Sequence, residues 1–247
     1  MLFRSPMKAL LLLGVEPVLD AADAAAAKAA LAASGLVVAL TPFADAAADV
    51  ADVMLPIAPF TETGGAFVNA EGRLQSFHGV VKPLGETRPA WKVLRVLGNL
   101  LELPGFDHET VEDVRAEALG DAAALAARLS NASTLPAALP QAAAPASVTQ
   151  CERIADVPIY ATDSLVRRAG ALQRTADARP PVVGVPTPLW GALRLTDKVL
   201  VSDGQTTVLL PAREDRSLAE GTVRIAAGHP DTAALGAMFG TVTLEKA

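Results

Sequence analysis

The densest run of reactive and conformationally special residues is Phe60 to Phe77, FTETGGAFVNAEGRLQSF, set in a chain otherwise rich in Ala, Leu and Val. Glu62 is the residue there with the right chemistry for proton transfer. Acid–base catalysis works through positioned partners, and no carboxylate or His stands near Glu62 in sequence. The loop Thr61 to Gly65 therefore reads as a structural turn. Gly64-Gly65 lacks the G-x-G-x-x-G spacing and opens no helix, so a phosphate cradle is unsupported. Glu62 and Asn69 are the best-placed polar residues, and their expected task is to hold a hairpin through hydrogen bonds to backbone.

Metal and redox chemistry has little to work with. Cys151 is the one cysteine, and the histidines are His78, His108 and His229. A single thiol excludes an internal disulfide and a cysteine-ligated zinc or iron–sulfur site on this chain alone. The three histidines are dispersed, without i, i+4 pairing. His108 reads as a neighbour of a helix N-terminus rather than a ligand. No Gly-rich strand-to-helix fingerprint for a dinucleotide is present.

The elements that position these residues follow from periodicity. Residues 8–15 read as a buried strand and DAADAAAAKAALAASG as a helix, with Ala as its best former, Asp20 and Asp23 at its start and Gly35 at its stop. A second strand follows at 36–40, a short helical stretch at 43–52 and a third strand at 53–56. Strand, helix, strand, helix, strand is the pattern of a parallel sheet with helices on its faces. Three strands make a thin sheet, and parallel sheets need cover on both faces. The sequence is therefore expected to be the back part of a larger α/β domain.

GAFVN at 65–69 and RLQSF at 73–77 read as two strands of a hairpin, with AEG between them and Gly72 free to take a positive φ. A helix is expected at about 89–101, with Trp91, Leu94, Leu97 and Leu101 on one face. Another begins near His108, with Glu109, Glu112 and Asp113 at its N-terminus. Residues 130–150 are Ala, Pro and Ser without charge and read as a linker. Beyond it, TDSLVRRAGALQ at 162–173 reads as a capped helix. LRLTDKVLVS, Asp203-Gly204 and QTTVLLP form a strong hairpin signal. GTVRIAAG and GTVTLE add two strands around a short helix near PDTAALGAMF, giving a small β-rich, barrel-like unit.

Composition narrows the class. The chain has 247 residues, 51% hydrophobic and 19% charged, which suits a folded chain of one large or two smaller domains. A net charge of −6 does not suit nucleic-acid binding, which needs clustered basic surface. The apolar run Ala9 to Val15 is too short to span a bilayer, and Glu16 and Pro17 interrupt it too early for a secretory leader.

Three stretches carry a resemblance: ADVMLP, ETGGAFVNAEGRLQSFHGVVKPLGETRPAWKVLRVLGNLL and YATDSLVRRAGALQRT. Together they resemble the large iron–sulfur subunit of bacterial NADH-quinone oxidoreductase, respiratory complex I. More broadly, they are similar to the molybdopterin oxidoreductase superfamily, from which that subunit's large domain derives. The likeness covers most of 8–119 and, more weakly, the last domain. Within it, Glu62, Gly65, Asn69, Glu71, Gly72, Arg73 and Gln75 match the motif E-x-x-G-x-F-x-N-x-E-G-R-x-Q and are expected to be structural. No catalytic, cofactor-binding or metal residue carries over.

The resemblance implies an α/β fold: the C-terminal part of a molybdopterin-oxidoreductase-like parallel-sheet domain (1–129), the linker (130–150) and a small β-rich, barrel-like domain (151–247). It implies a scaffold role in electron transfer from NADH through iron–sulfur clusters to quinone. It implies no cofactor on this stretch; the full-length subunit is expected to bind its clusters through N-terminal residues that this stretch lacks. Its implied partners are the other subunits of the complex I peripheral arm, with no nucleic acid and no membrane span. Its implied place is cytoplasmic, on the inner face of the bacterial plasma membrane. The alternative is the C-terminal half of a molybdopterin-dependent oxidoreductase such as a formate dehydrogenase. A third reading, a free-standing α/β binding protein, fits the thin sheet poorly.

Overall fold

A computed structural model describes residues 7–120, 125, 127–129 and 149–247. They group into two compact units, one drawn from the segments 1–10, 15–37 and 142–247, the other from 11–14 and 38–141. The division is not sequential: residues 15–37, read from sequence as part of the N-terminal domain, group with the C-terminal part. The linker expected at 130–150 lies outside the described residues except for Thr149 and Gln150.

The first sheet has the order β1 (Leu10–Leu13), β2 (Val37–Thr41), β3 (Val53–Pro56). β2 and β3 are parallel, with Val38 opposite Val53 and Thr41 opposite Pro56. Leu10 N–H donates to the Leu36 carbonyl and Gly14 N–H to that of Leu40, in the same forward step. The three expected strands are thus present. β1 differs from expectation in its burial: Leu11 and Leu13 are 48% and 44% exposed. It is an edge strand, whereas β2 lies between two neighbours and is nearly all buried. Between β1 and β2 the chain forms a short α1 (Pro17–Asp20) and then α2 (Ala24–Ala33), whose first turn is capped by Asp23 accepting from Ala26 N–H at 2.9 Å. The expected helix at 43–52 is only a 3₁₀ turn over Ala44–Ala46.

β4 (Gly65–Val68) and β5 (Leu74–Phe77) form an antiparallel two-stranded hairpin in register Gly65 to Phe77 through Val68 to Leu74. Two helices follow, α3 (Ala90–Leu100) and α4 (Val111–Leu119). The packed side of α3 centres on Gly98: a Cβ there would stand 2.3 Å from the Phe106 ring, so only glycine admits that ring. Leu101, expected on this helix's apolar face, is 60% exposed. Thr110 and Asp113 cap α4 reciprocally, side chain to backbone in both directions.

The C-terminal part closes a six-stranded barrel in the order β10-β6-β11-β8-β9-β7. The strands are β6 (Gln150–Ile154), β7 (Val183–Val185), β8 (Lys198–Ser202), β9 (Thr207–Glu214), β10 (Thr222–Arg224) and β11 (Gly240–Lys246). β6 runs parallel to β10 and β7 parallel to β9, and the remaining neighbours are antiparallel. The barrel-like unit read from sequence is therefore observed. Alternate residues point inward. Val199, Val201, Val223 and Leu244 are fully buried, with Val185 and Ile225 beside them. Each such side chain contributes about 1.5–3 kcal/mol on removal from water. Three short helices lie along the barrel sequence: α5 (Ser164–Arg167), α6 (Thr187–Leu193) and α7 (Pro230–Ala233).

The segment 15–37 is tied to this unit by charge. Glu16 is 8% exposed. Its carboxylate receives Arg167 Nη1 at 2.7 Å and Arg168 Nη2 at 2.7 Å, and Arg167 also reaches Asp20. Burial pushes the Glu16 carboxyl up, but hydrogen bonds from Arg168 and Arg167 and their charges outweigh it, leaving it below its ordinary value.

Candidate functional site

The motif residues of the sequence, Glu62 to Gln75, fall on one structure: the 3₁₀ turn Phe60–Glu62, the hairpin and the loop after it. Asn69 makes the hairpin turn. Its Oδ1 accepts from Glu71 N–H at 3.0 Å and Arg73 N–H at 2.9 Å, while its backbone carbonyl accepts from Gly72 N–H at 2.9 Å. Gly72 has φ 76°, a conformation that glycine adopts without strain. Arg73 and Glu71 form an exposed pair at 3.6 Å, which holds little energy. Gly65 faces the Phe77 ring, where an added Cβ would stand 2.8 Å away. Gln75 sits opposite Phe67 in the ladder, and Phe67 stacks on Phe77 at 5.0 Å and meets Phe60 edge-on at 6.3 Å.

Glu62 is bound to backbone. Its Oε2 accepts from Leu84 N–H at 2.9 Å, and Thr61 carbonyl accepts from Val80 N–H at 2.8 Å. These two bonds bring the loop 78–88 alongside the turn. Gly79 allows the close approach, since a Cβ there would meet the Glu62 carbonyl carbon at 2.9 Å. The result is an open groove of about 730 Å³ whose lining includes Glu62, Val80, Lys82, Arg88, Trp91 and Lys92. Glu62 thus has a hydrogen-bonded structural position rather than a titratable partner for catalysis.

A second, smaller cavity of about 230 Å³ opens beside the barrel, lined in part by Asp23, Asp203, Gln205, Gly236 and Thr241. Asp203 Oδ1 accepts from Gln205 N–H at 2.9 Å and Thr206 N–H at 2.8 Å, making the β8–β9 turn that Asp203-Gly204 predicts. Behind it lies Arg153, 3% exposed, a residue sequence reasoning passed over. Its guanidinium donates to the carbonyls of Ile225 at 3.3 Å, Ala226 at 3.0 Å and Ala237 at 2.8 Å. Burial pushes its pKa down and the Asp203 charge opposes this. The signal available in sequence was an Arg at an inward position of a strand, which reads as a break in the pattern.

Cys151 is 1% exposed inside the barrel, and burial, then Glu152, pushes its thiol up, so the reactive thiolate is disfavoured. The histidines do not converge. His108 pairs with Glu117, and His229 Nδ1 accepts from Asp231 N–H at 3.1 Å to cap α7. Among the described residues no three His, Cys, Asp or Glu side chains gather as metal ligands. No helix among them is long and apolar enough to cross a membrane.

With this geometry in view, residues 1–100 match the molybdopterin oxidoreductase family. A protein of Staphylococcus aureus named "Putative formate dehydrogenase" is 46% identical over 57 residues, 23% of this chain and 6% of that protein. The "Probable oxidoreductase YjgC" of Bacillus subtilis is 38% identical over 76 residues, 31% of this chain and 8% of that one. In solved structures, acetylene hydratase from Pelobacter acetylenicus shares the fold at TM-score 0.67 and 17% identity, across 97% of this chain and 44% of that chain. The matched stretches are thus a small part of the curated relatives' length, and the chain corresponds to under half of the solved one. The broader of the two likenesses read from sequence is the one these findings carry. None of these relatives is named as a complex I subunit; their names fit the molybdopterin-dependent alternative better.

The name of the matched family points to a molybdenum–pterin group, and neither the thiol nor the cavity beside the barrel among the described residues fits it. Their lone thiol is sealed in the barrel. The cavity beside the barrel presents the carboxylates of Asp23 and Asp203, which repel a phosphate. No chemical step is derived through the group.

Proposed function

We propose that this chain is part of a molybdopterin-dependent oxidoreductase of the formate dehydrogenase kind, and that the described stretch serves it as framework. The observation that carries this reading is the family match over residues 1–100, which takes in β1 to β5 and α3. The relatives named for formate dehydrogenase supply the substrate class. The hydrogen bonds of Glu62 and Asn69 to backbone support a structural role for the motif.

A second reading rests on the stretch SFHGVVKPLGETRPAWKVLRVLGNLL, residues 76–101, which resembles the large iron–sulfur subunit of complex I. In that reading the chain is a scaffold in the cytoplasmic arm, among the other peripheral subunits, and clusters sit elsewhere in the subunit. One experiment separates the two. The protein is tagged at its C-terminus in its own host, purified with whatever it holds, and assayed for molybdenum and for formate-driven dye reduction. Stoichiometric molybdenum with formate oxidation is expected. Iron–sulfur absorbance with NADH oxidation and no molybdenum overturns the first reading in favour of the second.

A further inference from the structure

We propose that the groove between the Phe60–Glu62 turn and the loop 78–88 is a docking site for an extended polypeptide segment carrying acidic and apolar side chains. The inference is independent of the redox assignment, because it rests on the groove's own surface. Three aliphatic side chains stand in the open along this loop: Val80 at 84%, Leu84 at 77% and Val81 at 60% exposure. Val80 and Val81 line the groove, and exposed apolar surface of this kind marks an interaction site. The groove is an open trough, whereas pockets for small ligands enclose most of the ligand's surface. A chain lying along it is the occupant whose shape it fits.

Charge selects the kind of segment. Lys82, Arg88 and Lys92 line the groove, in a chain whose net charge is −6. The opposing carboxylates are few: Glu62 is hydrogen-bonded to the loop backbone, and Glu86 pairs with Arg88 at 3.7 Å. Among the described residues no ion pair is formed by Lys82 or Lys92; Lys92 lies over the Trp91 ring at 5.3 Å. A local excess of cations inside an acidic protein favours an acidic segment and turns basic ones away. The loop itself is held in shape by the Glu62–Leu84 and Thr61–Val80 bonds, so the groove is formed before anything binds it.

The test uses the full chain and two fluorescein-labelled probes of about ten residues, one alternating Glu and Val and one alternating Lys and Val, read by anisotropy. The Glu–Val peptide is expected to bind and the Lys–Val peptide to bind at least about tenfold more weakly. Lys82→Glu with Lys92→Glu should lower Glu–Val affinity roughly tenfold and raise Lys–Val affinity. Both lysines are exposed, and circular dichroism checks that the double variant folds. Val80→Ser with Val81→Ser should weaken the Glu–Val peptide without reversing the preference. Equal binding of the two probes, no binding of either, or indifference to the charge reversal overturns the proposal. So does a dimer by sedimentation that the same charge reversal disperses, which would assign the groove to a second copy.

Discussion

The barrel and the hairpin are both made of short strands, yet they meet water in opposite ways. The barrel's six strands close on themselves, so it has no free edge, and alternate side chains converge on one interior. The hairpin of β4 and β5 has two strands and no closure, and its Phe67 and Val68 are 61% and 49% exposed. The three-stranded sheet is similarly open: Leu11, Leu13, Val53 and Met54 are all more than 40% exposed on its two outer strands. Two-stranded hairpins are marginal in water without something to pack against. The contrast teaches that exposure of apolar residues here is a property of open sheets, not of composition. The barrel and the three-stranded sheet are both rich in Val and Leu, and only topology separates a buried valine in β8 from an exposed one in β3.

The sharpest way to break that contrast is to open a hole in the barrel. Leu244 is fully buried, in β11 between β6 and β8. Leu244→Ala should cost about 2–5 kcal/mol, from lost transfer energy plus the cavity left behind. Denaturant unfolding followed by circular dichroism gives the number. A loss below about 1 kcal/mol would mean that the barrel interior relaxes freely and is not the firmer region.

The next largest effect is expected at the charged tie between α1 and α5. Glu16→Gln removes the carboxylate charge that Arg167 and Arg168 share, leaving Arg167 its pair with Asp20, and should cost about 2 kcal/mol at neutral pH, less than a fully buried pair because Arg168 keeps partial access to water. The sign of the pH dependence follows from the depressed Glu16 value. The unfolded chain takes up its proton near the ordinary 4.5 and the folded chain only at lower pH. The stabilisation is therefore present above 4.5 and is lost as pH falls through the folded value. The charged groups that meet it are Arg167 and Arg168 at α5, with Asp20 sharing Arg167. Unfolding midpoints of the two proteins, measured from about pH 7 to about pH 3, should converge at the acid end. A gap that stays constant would show that Glu16 acts by packing alone.

A smaller loss tests the hairpin turn. Asn69→Ala removes the acceptor for two backbone N–H groups and should cost about 1 kcal/mol. Asn69→Asp keeps the oxygen and should recover most of it. Failure of aspartate to recover the loss would remove the hydrogen-bond account of this residue.

How much of this was legible in sequence depended on whether the signal was local. Asp203-Gly204, the Asn69-to-Gly72 turn and the presence of a Thr or Asp cap near 162, which the structure places on Asp163, were readable because turn and cap chemistry is written in adjacent residues. β6 and β7 were not. QCERI carries Arg153 at an inward position, and a buried guanidinium held by three carbonyls looks like a polar residue out of place. The three residues of β7 sit among prolines, which argue against a strand. The grouping of 15–37 with the barrel was hidden for another reason. It depends on Glu16 meeting Arg167 and Arg168 at sequence separations of 151 and 152, and no window of sequence contains that pairing. The groove was illegible for the same cause: its lysines and valines become neighbours only when Glu62 reaches Leu84.

The smallest effect is expected where exposure is greatest, and its smallness is the informative result. Val80 is 84% exposed, so Val80→Ser removes almost no buried surface. Its backbone N–H still donates to Thr61, because the bond does not involve the side chain. The stability change should stay within about 0.5 kcal/mol, the range for surface positions free of caps, cores or networks. Leu244→Ala and Val80→Ser each alter one apolar side chain, so their ratio measures the contrast between the closed barrel and the open surface directly. Serine at position 80 also interrupts the apolar run that could pair with other molecules, and solubility at high concentration should rise. Thermal melts and light scattering on the same samples read the two quantities together. A loss above about 1 kcal/mol from Val80→Ser would show that this valine is covered in solution, and the loop would have to be counted with the buried regions whose apolar side chains hold the fold together.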